Sequence, residues 1–140
     1  MTDDPETDDS ERRPYALVAD DDAFIRMDAC DILDEAGFRT LEAWDLDSGL
    51  DLLRKHCKDI QLLFTDVQMK GARDGFDLAI TTARECPRIG ILVASGQAEP
   101  GPDDIPEGAV FIRKPFSADV VHDRVRQILT EGQLPEPLKT

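Results

Sequence analysis

The strongest constraint in this 140-residue chain is an alternation of short apolar runs with segments whose apolar residues recur every three or four positions. Tyr15–Ala19, Ile60–Thr65, Ile89–Ser95 and Ala109–Arg113 are short, apolar and bounded by charged or turn residues. That is the pattern of strands buried on both faces. Arg39–Ala43 is a weaker fifth run with the mixed character of an edge strand. Between the runs, Ile25, Ala29, Ile32, Leu33 and Ala36 share one helical face before Gly37, a natural C-terminal stop. Leu46, Leu50, Leu53 and Cys57 repeat the spacing, as do Phe76, Ala79, Ile80 and Ala83. Val121, Val125, Ile128 and Leu129 follow behind Ser117, a suitable N-cap. The order is therefore βαβαβαβ, a connecting stretch, then βα. Strands alternating with crossover helices predict a parallel sheet covered by helices on both faces. The stretch Gly96–Gly108 carries Pro100, Pro102 and Pro106, which predicts an irregular connection where a regular helix would otherwise stand.

Charge narrows the function classes. Thirty Asp and Glu against 16 Lys and Arg leave a formal net charge of -14, and such a surface repels phosphate backbones and anionic lipid heads. No direct nucleic-acid partner is expected. No apolar run approaches the roughly 18 residues of a membrane span, so no membrane association is expected either. Met1–Arg13 is acidic and lacks the basic-then-apolar order of a secretory signal, which predicts a cytoplasmic protein with a disordered tail over 1–13. Residues 14–130 form the folded domain on this reading, and 131–140, with Pro135 and Pro137, a trailing tail. Cys30, Cys57 and Cys86 are odd in number and widely spaced, which predicts reduced thiols. His56 and His122 have no partners at metal-ligand spacing. Asp45–Gly49 superficially suggests a calcium loop, but its glycine is one place early and His56 stands where the bidentate Glu belongs. It reads as a helix start capped by Asp45.

The chemistry lies at the strand ends. Asp20, Asp21 and Asp22 follow the first strand, Asp66 ends the third, Ser95 ends the fourth and Lys114 follows the fifth. All face one end of a parallel sheet, where ligands bind at the point at which strand order reverses. If the first and third strands flank that point, Asp20, Asp21 and Asp66 converge. Crowded carboxylates raise one another's pKa and call for a cation. Mg2+ is usually held by one or two carboxylates, waters and a phosphoryl group. Lys114 supplies a mobile positive charge and Ser95 a hydroxyl donor, both suited to phosphoryl oxygens, and aspartate is a competent nucleophile for phosphoryl transfer. The plainer alternatives are an acidic capping turn with Asp22 as N-cap, and Ser95 as a small residue closing a strand.

These residues give the sequence a family likeness. Asp20-Asp21 with Arg26 in the following helix, LLFTDVQM around Asp66, Ser95-Gly96 and FIRKPF around Lys114 together resemble a two-component response-regulator receiver domain, over Tyr15 to about Thr130. The resemblance implies a flavodoxin-like, doubly wound five-stranded parallel sheet of order 2-1-3-4-5, with helices on both faces and a shortened or irregular fourth helix. It implies that Asp66 accepts a phosphoryl group from a histidine kinase or phosphotransfer protein. Asp21 and Asp66 would ligate Mg2+ directly, Asp20 through water, and the backbone carbonyl of Gln68 would complete the protein ligands. Lys114, followed by a cis bond to Pro115, would contact the phosphoryl group, Ser95 would follow it, and Phe111 would hold the aromatic switch position. A one-residue shift would put Ala94 in place of Ser95. Gln68 and Gln97 would border the path of the hydrolytic water.

Two departures stand out. Met69-Lys70-Gly71-Ala72-Arg73-Asp74-Gly75 has lysine where receivers usually have proline, and one residue more. The Glu99–Pro106 stretch departs from the usual fourth helix. Beyond Thr130 only ten residues remain, so the expected role is a stand-alone, chemotaxis-regulator-like phosphoacceptor whose output passes through an unknown downstream protein. Two rivals are a phosphorylation-independent binding module on the same scaffold and an aspartyl-phosphate hydrolase. The latter would want an acid where Gln68 stands.

Overall fold

The computed structural model describes residues 13–67, 69, 74–96, 105–129, 133–135 and 138. Five strands, β1 (Tyr15–Ala19), β2 (Arg39–Ala43), β3 (Ile60–Asp66), β4 (Gly90–Ser95) and β5 (Val110–Arg113), form one sheet of order β2-β1-β3-β4-β5. Every neighbouring pair is parallel. Among the described residues four helices, α1 (Ala23–Glu35), α2 (Leu46–His56), α3 (Asp74–Glu85) and α4 (Ala118–Ile128), flank the sheet. The expected doubly wound architecture is the one observed, with β2 on an edge.

Period-two alternation in the central strands divides the core into two layers. Ala16 and Val18 of β1, Leu62 and Phe64 of β3, and Leu92 and Ala94 of β4 point towards Ala29, Leu33, Val121 and Val125 of α1 and α4. Leu17, Ala19, Leu63, Ile91 and Val93 point the other way, towards Leu53, Phe76, Leu78 and Ala79 of α2 and α3. A register shift between Tyr15 and Ala16 passes over Gln61, so Ile60 and Leu62 fall on opposite faces although they are two residues apart. Helix starts follow the sequence chemistry. Asp22 caps α1, Ser117 caps α4, and Asp45 and Ser48 cap α2 reciprocally.

Three expectations are corrected. Cys57 and Cys86, predicted to be reduced thiols, form a disulfide whose Cα atoms lie 6.0 Å apart. They are 29 residues apart in sequence, but α2 and α3 lie side by side and end together, which spacing alone does not reveal. Cys30 is a free, buried thiol. Ile80, assigned to the buried face of α3, is 40% exposed, while Leu78 and Thr82 are buried. α3 turns that face towards α2, where Leu78 meets Gly49. The predicted trailing segment also packs on the domain: Leu134 and Leu138 are buried among the α1 and α4 side chains. Gln133 donates to Gln61 Oε1 at 3.3 Å and to the Arg88 carbonyl at 3.2 Å. Of the tail over 1–13 only Arg13 is described, and its carbonyl accepts from Arg39 Nε at 2.8 Å. Residues 105–109, the described part of the β4–β5 connection that precedes β5, contain no helix; 97–104 lie outside the described residues.

Candidate functional site

Strand order reverses between β1 and β3, and the carboxyl ends of these two strands bound the crevice in which such sheets bind ligands. The sheet ladder extends one residue past its strands at this edge. The N–H of Asp20 donates to the Ala43 carbonyl at 3.0 Å, that of Val67 to Ala94 at 3.0 Å and that of Lys114 to Ser95 at 2.8 Å. The functional side chains are therefore carried on backbone fixed by the sheet rather than on free loops.

Asp20, Asp21 and Asp66 converge as predicted, each offering a carboxylate oxygen within 4.8 Å of the others. Asp20 is buried, Asp66 is 8% exposed and Asp21 faces water. Lys114 reaches across from β5: its Nζ lies 2.9 Å from Asp20 Oδ2 and 3.1 Å from Asp66 Oδ1. Its peptide bond to Pro115 is cis, as the resemblance implied. The other Asp20 oxygen, Oδ1, accepts the Asp22 N–H at 2.9 Å. Three carboxylates against one ammonium leave the crevice with a formal excess of two negative charges.

The electrostatics follow from this crowding. Burial, and then the charge of Asp20, push the Asp66 carboxyl above the ordinary aspartate range, against the opposing pull of Lys114 and the Val67 N–H. Burial alone would pull the Lys114 ammonium down, but its hydrogen bond and charge interaction with Asp20, together with those of Asp66, outweigh it and hold the amine above its ordinary value. Lys114 is accordingly cationic at neutral pH. The oxygens are hard donors, part buried and part at the water boundary, and they fit a hard divalent cation such as Mg2+.

Asp22 fills the plainer role weighed for this turn as well. Its carboxylate accepts from Phe24 and Ile25 N–H at 2.9 and 3.2 Å, so one acidic run both caps α1 and supplies the cluster. Ser95 is buried at the same edge of the sheet, at the end of β4. Phe111 is half-buried in β5 and packs with Ile105 and Ala109 against the α2–α3 layer. Gln68, Gln97 and the Lys70–Arg73 segment lie outside the described residues.

Sequence reasoning missed two supports. Arg26 Nη1 donates to the Asp20 carbonyl at 2.8 Å while its Nε pairs with Glu42 Oε1 at 2.9 Å, pinning the acidic turn to β2. Its place in the motif was visible, but its partners belong to the folded chain. Gly75 donates its N–H to the Val67 carbonyl at 3.1 Å, and a side chain there would run into the Asp66 carbonyl oxygen. Its position soon after Asp66 was the available signal.

Comparison with known proteins agrees with this geometry. The chain is 36% identical over 105 residues to the transcriptional regulatory protein PdtaR of Mycobacterium tuberculosis, a match covering 72% of this chain and 49% of that protein. It is 35% identical over 106 residues to a protein-glutamate methylesterase/protein-glutamine glutaminase of Natronomonas pharaonis, covering 71% and 29% respectively. The chain thus spans half or less of the length of these curated relatives. The receiver domain of NtrX from Brucella abortus superposes with a TM-score of 0.69 at 32% identity, covering 81% of this chain and 97% of that one. Chemotaxis protein CheY4 of Vibrio cholerae shares the fold, with a TM-score of 0.72 at 20% identity over 84% of this chain and 99% of that one. The family model of the response regulator receiver domain matches residues 16–126, and the chain belongs to that family.

Proposed function

We propose that this receiver domain accepts a phosphoryl group on Asp66 from a histidine kinase or histidine phosphotransfer protein and signals through contact with another protein. The observation that carries the reading is the Lys114 ammonium held between Asp20 and Asp66 at the topological switch point. An Asp66 carboxylate oxygen attacks phosphorus, and the bond to the donor imidazole breaks with its electron pair leaving on the imidazole. Lys114 and the Ser95 hydroxyl meet the phosphoryl oxygens. Asp21 and Asp66 would hold Mg2+ directly, Asp20 through water, with the Gln68 carbonyl as a further ligand. When bound, the ion supplies charge neutralisation at the phosphoryl oxygens.

The surface beside the site suits a protein donor. Phe24 and Met27 on α1 are 84% and 57% exposed, and a hollow lined by Ile25, Asp28, Lys114, Pro115 and Phe116 adjoins them. Phe111 would serve as the aromatic switch, and Gln68 and Gln97 would, as the resemblance implies, border the hydrolytic water. Both are neutral amides that bind water without acting as its base, so self-dephosphorylation is slow. The net charge of -14 disfavours direct nucleic-acid binding. Among the described residues no helix is long and apolar enough to cross a membrane. The role is that of a cytoplasmic regulator with no turnover chemistry beyond its own phosphorylation and dephosphorylation.

Incubation with acetyl phosphate, with and without Mg2+, tests the reading by intact-mass measurement. A metal-dependent adduct of one phosphoryl group is expected. Rapid consumption of excess donor with no accumulated adduct would make the chain a hydrolase, and no adduct with no turnover would make it a binding module.

A further inference from the structure

α2 and α3 are joined at three levels. Gly49 and Leu78 pack where a side chain on the glycine would lie 2.9 Å from the leucine methyl. Near the C-terminal ends Arg54 donates from Nε and Nη2 to the two Glu85 oxygens at 3.3 and 3.2 Å. At the ends themselves Cys57, the C-cap of α2, is bonded to Cys86, the residue after α3. Cys86 is buried and Cys57 half-buried, so Cys57 is the cysteine more open to solvent. The other end of α3 abuts the phosphoacceptor: Gly75 bonds to the Val67 carbonyl and leaves no room between itself and the Asp66 carbonyl. One rigid helix thus runs from the cysteine pair to the backbone of Asp66.

We propose that Cys57 and Cys86 are a redox-modification site: a dithiol that closes by exchange with a low-molecular-weight disulfide and, when closed, holds α3 so that the aspartyl phosphate on Asp66 is lost more slowly. The Cys57 thiolate attacks one sulfur of the small disulfide, forming a mixed disulfide and releasing one small thiolate. Cys86, giving up its proton, then attacks the Cys57 sulfur and expels the second small thiolate. The protein loses two electrons and two protons, and the small disulfide becomes two thiols. Cys30 is buried on the opposite face of the sheet among the α1 and α4 side chains and takes no part. The effect on the adduct rests on the phosphoacceptor reading; the thiol chemistry does not.

The test equilibrates the full chain in glutathione buffers of graded oxidation, followed by alkylation, digestion and mass spectrometry. A Cys57–Cys86 crosslink is expected to appear and disappear reversibly. In Cys86→Ser, Cys57 is expected to take up glutathione in place of the crosslink, whereas in Cys57→Ser the buried Cys86 is expected to stay a free thiol. Closing a loop of this size should raise the melting temperature by roughly 10 °C over the reduced protein, and the double variant C57S/C86S should lose that redox dependence. Alkylation of both cysteines across the whole range, or pairing with Cys30, overturns the site. After acetyl phosphate and Mg2+, the adduct on the oxidised protein should outlast that on the reduced protein by about two-fold or more, with no difference in C57S/C86S. Equal lifetimes overturn the coupling and leave a structural crosslink. An adduct in neither redox state overturns the phosphoacceptor reading instead, and leaves the crosslink result standing.

Discussion

Asp66 is drawn in opposite directions by its surroundings, with burial and Asp20 favouring the protonated acid and Lys114 and a backbone N–H favouring the carboxylate. On the proposed function, the nucleophile is thus kept beside its own counter-charge. Asp21 differs from its neighbours in facing water, which suits the ligand that completes a cation site from the solvent side. Asp21→Ala is expected to weaken Mg2+ binding at least about ten-fold without unfolding the protein, measured by calorimetry. Burial pushes the Cys30 thiol up to about 11, so at pH 8 only about one molecule in a thousand carries the reactive thiolate. Iodoacetamide at that pH should leave Cys30 unmodified in the native protein and label it once urea is added. The convergence of Asp20, Asp21, Asp66 and Lys114 was legible in the sequence because each lies at a strand end, and strand ends share an edge. The roles of Arg26 and Gly75 were not, because an Arg26–Glu42 pair and a close approach to the Asp66 carbonyl exist only after the strands are assembled.

Among the elements, the caps were the most readable feature and can be tested singly. Asp45 accepts the Ser48 N–H at 2.8 Å while Ser48 Oγ accepts the Asp45 N–H at 3.2 Å, so Asp45→Ala removes one bond of a reciprocal pair. A loss of about 1 kcal/mol in urea unfolding is expected, with the phosphoryl adduct formed as in the wild type. Gly75→Ala makes the contrasting case. A methyl group there must displace either α3 or the backbone of Asp66, at a cost of about 1–3 kcal/mol. The variant should be both less stable and slower to accept phosphate, measured by urea unfolding and by adduct formation. The disulfide escaped the sequence reading because pairing depends on how α2 and α3 lie together, with Gly49 against Leu78 and Arg54 on Glu85, and cysteine spacing does not show that. Ile80 escaped for the same reason: helical periodicity identifies an apolar stripe, but the neighbouring helix decides which edge of it is covered.

The whole molecule is a sheet with two buried faces carrying a concentrated acidic site at one edge and a formal charge of -14 overall. Self-repulsion of that size is screened by salt, since the screening length falls from about 10 Å at 0.1 M to about 3 Å at 1 M. The melting temperature should therefore rise by several degrees between these NaCl concentrations, and a flat or falling curve would show that the charge is already compensated. The alternation of apolar runs made the topology legible, because parallel strands joined by helices have few arrangements; the packing of Leu134 and Leu138 was not, because two leucines among prolines carry no period. The most direct test of the central claim is to treat wild type and Asp66→Asn with acetyl phosphate and Mg2+ and to locate any adduct by intact mass and peptide mapping. A single phosphoryl group on Asp66 in the wild type, and none on a variant with unchanged circular dichroism, is predicted; an adduct of normal yield on Asp66→Asn would contradict it.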